Sequence, residues 1–174
     1  MIITVDDDIY YDKNLVQTLY DSYISSSRDC IIANRCHKIT FNAGEFMPYR
    51  NWDKCINVPS KRYINFLTGV GGVLYPPNCF YKDIYRDDIF MELAPNADDV
   101  WFWAMAVLNH TKIQLSDVPI QNLIYINPAR ELNLTDDGTL YSSNGCGDND
   151  VQLKNVLQKY PELYNMLQKE ITQV

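Results

Sequence analysis

Residues 1–8 read Met1-Ile2-Ile3-Thr4-Val5-Asp6-Asp7-Asp8, a short apolar, β-branched run stopped at once by three carboxylates. Such a run reads as a buried strand. Working outward, Asp12 is placed to cap a helix through about Ser25, with Leu15, Val16, Leu19, Tyr20 and Tyr23 on one face. Asp29-Cys-Ile-Ile-Ala-Asn34 then supplies a second short strand. Strand, helix and strand in that order predict an α/β unit with parallel strands.

Further along, residues 36–66 are irregular and carry the turn-formers Asn42, Gly44, Pro48 and Pro59, which predicts an excursion with short antiparallel pairs. The run Phe66-Leu-Thr-Gly-Val-Gly-Gly-Val-Leu-Tyr75 reads as one strand whose glycines admit a close approach to the backbone. A helix is expected to start near Asp98 and to be buried, because Val100-Trp-Phe-Trp-Ala-Met-Ala-Val-Leu108 is apolar nearly all round. Strand-like runs follow at Ile113–Leu115 and Leu123–Ile126. Residues 128–149 are polar and turn-rich, which predicts a mobile loop, and residues 150–174 hold two helices, the second opened by Pro161. The 174 residues are enough for a single domain over 1–174.

The bulk composition narrows the partners. Fifteen basic against 22 acidic residues give a net charge of −7 and no basic stripe, so no nucleic-acid partner is expected. An acidic chain attracts an anionic ligand only where a bound cation reverses the local sign. The five cysteines, Cys30, Cys36, Cys55, Cys79 and Cys146, form no CxxC pair, which fits a reducing cytoplasm better than a disulfide framework. No apolar run reaches membrane-spanning length. Most of the 13 Tyr, 6 Phe and 3 Trp are expected in the core.

Three features carry chemistry. In open α/β sheets, ligands bind beyond the carboxyl ends of the strands, where Asp6, Asp7 and Asp8 stand. In an extended stretch Asp6 and Asp8 point to the same side, and two hard carboxylates suit Mg²⁺ or Mn²⁺. The other reading is an acidic helix entry favoured by the helix dipole. Asp98 and Asp99 open the buried helix, either as a general base with its neighbour or simply as caps. Gly69-Val-Gly-Gly72 either lines a ligand pocket or makes a tight bend or bulge.

The order of these features, with Asp-Asp-Val-Trp-Phe-Trp at the second helix, resembles the C-terminal half of GT-A type glycosyltransferases. The likeness is to the family-2-like enzymes of bacterial polysaccharide synthesis and to β-1,3-galactosyltransferase-like enzymes, and it runs from about Ile2 to about Leu115. It implies a partial GT-A fold, a mixed sheet flanked by helices, with residues 1–127 holding the metal site and the acceptor-binding part. It implies that Val5-Asp6-Asp7-Asp8 is the DxD motif. Asp8 would bind a divalent cation, Mn²⁺ or Mg²⁺, that bridges the diphosphate of a nucleotide-sugar donor. Asp6 would lie in the metal shell or near the ribose, with Asp7 beside the substrate. Asp99 would be the base of an inverting transfer, with Asp98 as its acidic partner. Gly71 and Gly72 would line the substrate pocket, and Trp101 and Trp103 would border a glycan or lipid-linked acceptor. His110 is a further imidazole, well along the helix from the two aspartates.

The resemblance also implies that a nucleotide-binding half precedes the motif. Only one strand precedes Asp6 here, so a truncated form, a piece of a split gene or a subunit completed by another chain is expected. Such a chain should hold nucleotide weakly and should self-associate, or take a partner chain, over the Ile2–Val5 edge. A cytoplasmic location is expected, and a lipid-linked acceptor would place the chain at the inner membrane face. Two competing readings are a non-catalytic glycosyltransferase-like remnant that binds a glycan or partner, and a metal-dependent phosphotransfer or hydrolase domain.

Overall fold

The computed structural model describes residues 1–127, 129 and 147–172. The expected mobile loop over 128–149 falls largely outside the described residues. The fold is mixed α/β, with a mixed sheet flanked by helices.

Among the described residues, five strands form the central sheet: β1 (Ile2–Thr4), β2 (Cys30–Ala33), β6 (Lys61–Arg62), β8 (Val73–Tyr75) and β9 (Lys112–Leu115). Their spatial order is β1-β8-β2-β9-β6. Strands β1 and β2 do point the same way, as the strand-helix-strand pattern predicts. They are not neighbours, because β8 lies antiparallel between them, pairing Ile3 with Leu74 on one side and Ile32 with Leu74 on the other. Strand β9 runs parallel to β2, with Ile31 opposite Ile113, and β6 closes the far edge antiparallel to β9. The excursion holds two further pairs, β3 (Cys36–Lys38) with β7 (Asn65–Leu67), and the hairpin β4 (Phe41–Asn42) with β5 (Glu45–Phe46).

The period-2 alternation of a strand explains why Cys30–Ala33 is buried throughout. Cys30 and Ile32, with Leu74 of β8, face α1 (Leu15–Ser25), which supplies Leu15, Leu19 and Tyr23. Ile31 and Ala33, with Val73 and Tyr75, face the other layer and α3 (Asp98–Leu108). Against α3 pack α4 (Asp148–Lys159) and α5 (Pro161–Thr172), and α2 (Asp87–Leu93) packs against α4.

Three local expectations need correction. Strand β1 is not buried: it is an edge strand with Ile2 66% exposed, because among the described residues it pairs with β8 alone. On α1, Val16 and Tyr20 are exposed, because the buried stripe is the narrower set Leu15, Leu19, Ser22 and Tyr23. Phe66–Tyr75 is not one strand. Strand β7 stops at Leu67, Gly69–Gly71 makes a 3₁₀ turn, and β8 starts at Val73 in the other sheet. Gly72, at φ +88°, turns the chain between them, a conformation open to glycine at little steric cost.

Candidate active site

The Gly69–Gly72 turn is the hub on which the acidic residues converge. Asp99 stands in the first turn of α3 but does not cap it: Ala97 occupies the N-cap position and no side chain caps there. Instead Asp99 Oδ1 accepts the Gly69 N–H at 2.8 Å. A Cβ added at Gly69 would lie 3.2 Å from that oxygen and 3.9 Å from Asp6 Oδ1, so both carboxylates border the same glycine. Tyr11 ties the backbone of Asp6 to the turn. Its hydroxyl accepts the Asp6 N–H at 3.0 Å and donates to the Val70 carbonyl at 2.9 Å. Asp98 is exposed next to this pair, its Oδ1 accepting the Asp99 N–H at 3.0 Å.

The charges interact. Asp99 is half-buried, and burial, then Asp98 and Asp6, push its carboxyl up to about 7 against the opposing Gly69 N–H and Arg35. Burial, then Asp98 and Asp7, also raise Asp6 above the ordinary carboxylate range. A carboxyl with this affinity for a proton is suited to proton transfer near neutral pH. The crowding of hard oxygen donors is what a divalent cation relieves. Among the described residues, however, no group of three His, Cys, Asp or Glu side chains is gathered to hold a metal by itself. A cation at Asp6 and Asp8 would need ligand oxygens and water to complete its shell.

The chain beyond β1 does not continue the strand alternation that would set Asp6 and Asp8 on one side. The ladder of β1 ends at Thr4, and Asp7 and Asp8 form a turn. That turn brings Ile9 into an antiparallel bridge with Tyr125, and the Asp8 carbonyl accepts the Ile126 N–H at 2.8 Å. The Leu123–Ile126 run is therefore a single bridge rather than a strand.

Gly71 and Gly72 make room for the protein's own chain. A Cβ at Gly71 would come within 2.4 Å of Arg35 Cβ and 2.9 Å of Arg35 N, and one at Gly72 would meet Leu15 at 3.2 Å. Gly71→Ala is therefore expected to cost about 1–3 kcal/mol through overpacking, read as a lower urea midpoint. Gly69→Ala, which meets the carboxylate oxygens of Asp99 and Asp6, should cost less; equal midpoints for the two variants would refute the crowding at Arg35.

Trp101 and Asp98 line an open groove of about 310 Å³ together with Ile84, Tyr85, Asp87, Phe90 and Phe102. The groove adjoins the acidic cluster through Asp98. Trp103 is elsewhere, wholly buried in the core. His110 lies beyond the far end of α3, about 15 Å along an eleven-residue helix from Asp98. Sequence reading missed Tyr11, Thr68 and Arg35. Arg35 follows the end of β2 just as Asp6 follows the end of β1, so the rule that ligands gather beyond strand ends pointed to both.

No family model, no curated protein and no solved structure matches the chain.

Proposed function

We propose that this chain is a metal-dependent, inverting glycosyltransferase of the GT-A type, which moves a sugar from a nucleotide-sugar donor to a glycan or lipid-linked acceptor. The observation that carries the reading is the Asp99 carboxylate held on the Gly69 N–H beside Asp6 and Asp98, beyond the ends of β1 and β2. Asp6 and Asp8 would hold Mn²⁺ or Mg²⁺, with Asp7 beside the donor, and the cation would supply charge neutralisation at the leaving diphosphate.

The chain's own residues do the remaining work. Asp99 accepts the proton of an acceptor hydroxyl, and the Gly69 N–H fixes the carboxylate that receives it. The freed oxygen forms a bond to the anomeric carbon as the bond to the nucleoside diphosphate breaks, with inversion. Asp98 raises the proton affinity of Asp99 by its charge. Trp101 and the groove beside Asp98 offer an apolar wall for the acceptor. Among the described residues no helix is long and apolar enough to cross a membrane. A cytoplasmic enzyme, at the inner membrane face if its acceptor is lipid-linked, is the setting this reading takes. Among the described residues no strand pairs with the outer edge of β1, and that edge is where a second copy or a partner chain would add a strand.

Isothermal titration of UDP and GDP, with and without Mn²⁺, tests the proposal. Metal-dependent binding of either nucleotide is expected, and its absence from both would overturn the reading. Asp8→Asn is expected to abolish the rise in Tm that Mn²⁺ gives the wild type. An unchanged Mn²⁺ response would remove Asp8 from the metal site.

A further inference from the structure

Arg35 is an anomaly among the cations. Lys38, Lys61, Arg62 and Lys112 are half-buried, and each stands within 4.0 Å of a carboxylate oxygen. Arg35 is half-buried too, yet among the described residues it alone of this group has no ion pair. Its backbone is clamped: the Arg35 carbonyl accepts the Thr68 N–H at 3.2 Å, and Gly71 packs on its Cβ. Its Nη1 donates to Thr68 Oγ1 at 3.1 Å. A guanidinium has five N–H donors, so this leaves most of its fork for another partner.

Lys54 reinforces the anomaly. Its Nζ stands 3.1 Å from the centre of the Tyr49 ring and 5.9 Å from that of Trp52. No carboxylate among the described residues lies within ion-pair distance of it. The carboxylate whose charge acts on it is Asp150, and Asp150 Oδ1 already accepts the Tyr49 N–H at 2.7 Å. Burial, then Arg35, holds the Lys54 amine down at about 8, and burial, with both cations adding to it, keeps the neighbouring His37 imidazole neutral. Lys54 is exposed, Arg35 half-buried, and the two repel; neither has an ion pair among the described residues, and an anion that met both would relieve the repulsion.

The position of Arg35 says which ligand that anion belongs to. Thr68 binds Arg35, and the next residue, Gly69, binds Asp99. The Thr68–Gly69 backbone thus links Asp99 to Arg35, whose charge acts on Asp99 and is not among those that raise Asp6. On the proposed reading, the donor's diphosphate lies on the Asp6 and Asp8 flank and the acceptor hydroxyl meets Asp99. What lies beyond Asp99, at Arg35, is acceptor. We infer that Arg35, supported by Lys54, binds an oxyanion on the acceptor, so that the acceptor is an acidic saccharide bearing a carboxylate or a phosphate. This inference rests on the glycosyltransferase reading for the word acceptor, but the binding itself needs neither metal nor nucleotide.

The test uses methyl β-D-glucuronide, glucose 6-phosphate and uncharged methyl β-D-glucoside, titrated into the full chain in metal-free buffer and followed by ¹H-¹⁵N shifts. At least one charged sugar is expected to bind more tightly than the glucoside by about tenfold, with an affinity that falls as salt is added. Whichever charged sugar binds tells carboxylate from phosphate. Arg35→Gln is expected to remove that preference and Lys54→Gln to weaken it, in variants whose spectra show the native fold. Arg35→Lys should restore part of it. Equal binding of all three sugars, or a preference unchanged in Arg35→Gln, would overturn the inference. So would a loss of Mn²⁺-dependent UDP binding in Arg35→Gln with the saccharide preference intact, since the oxyanion would then belong to the donor. Failure of UDP and GDP to bind the wild type bears on the glycosyltransferase reading alone.

Discussion

Asp99→Asn is expected to lower the rate of sugar transfer by about 10²–10⁴-fold, the range that a positioned general base contributes. The substitution is informative because it leaves the geometry alone. Asn keeps an Oδ1 that accepts the Gly69 N–H now made at 2.8 Å. What it removes is the ability to take a proton. Asp98→Asn is the control. Asp98 is exposed and acts on Asp99 through its charge, so its replacement should lower transfer far less. A loss below tenfold in Asp99→Asn, or equal losses in both variants, would take the role of base away from Asp99.

The same variant has a second signature that needs no substrate. The Asp99 carboxyl is raised to about 7 in the folded chain, against an ordinary 3.8. The folded state therefore holds this proton more tightly than the unfolded state. The stability that protonation confers is complete below the ordinary value and is lost as pH rises through the folded one. In chelator-containing buffer, the wild type should lose stability between about pH 4 and pH 7 relative to Asp99→Asn. Asp6 is raised too and adds a decline of the same sign, which both proteins share. Urea midpoints across this range check the point. Parallel profiles would mean that burial of Asp99 does not disfavour its charge.

What could be read from the sequence follows from how local each signal is. The start of α3 at Asp98, the span of β2 and the opening of α5 at Pro161 are set by short-range patterning, and each stands where the pattern puts it. The insertion of β8 between β1 and β2 is not local. It depends on Leu74 pairing with both Ile3 and Ile32, residues 71 and 42 positions away, and no periodicity records such a pairing. The glycine run shows the limit most plainly. Alternating small and apolar residues fit a strand, and only the third dimension reveals that Gly71 must admit Arg35. The acidic residues of the site were conspicuous because they cluster in sequence. Arg35 and Tyr11 were not, because each acts alone and through the turn.

Trp103→Ala is expected to cost about 3–5 kcal/mol, the largest loss of stability among these substitutions and a large share of what a domain of this kind possesses. Trp103 is 0% exposed. Its ring lies 6.0 Å from Phe66, which in turn meets Trp52 at 5.1 Å and Tyr49 at 6.2 Å. Truncation leaves a cavity at the end of this aromatic chain, against Phe66. It also strands a carbonyl, because the indole N–H donates to Tyr63 O at 2.9 Å. The damage should spread in a definite direction. The N–H groups of Tyr63 and Ile64 donate to the Glu170 carboxylate at 3.0 Å each, so the segment that Trp103 holds is the one that docks α5. Urea denaturation measures the loss, and hydrogen exchange locates it: amides of Pro161–Thr172 should exchange faster before those of β2 do. Trp103→Phe keeps most of the ring volume and should cost less. An alanine variant within about 1 kcal/mol of wild type would show that α3 is not seated through Trp103. The Asp99–Gly69 contact, one turn along the same helix, would then owe its position to the sheet alone.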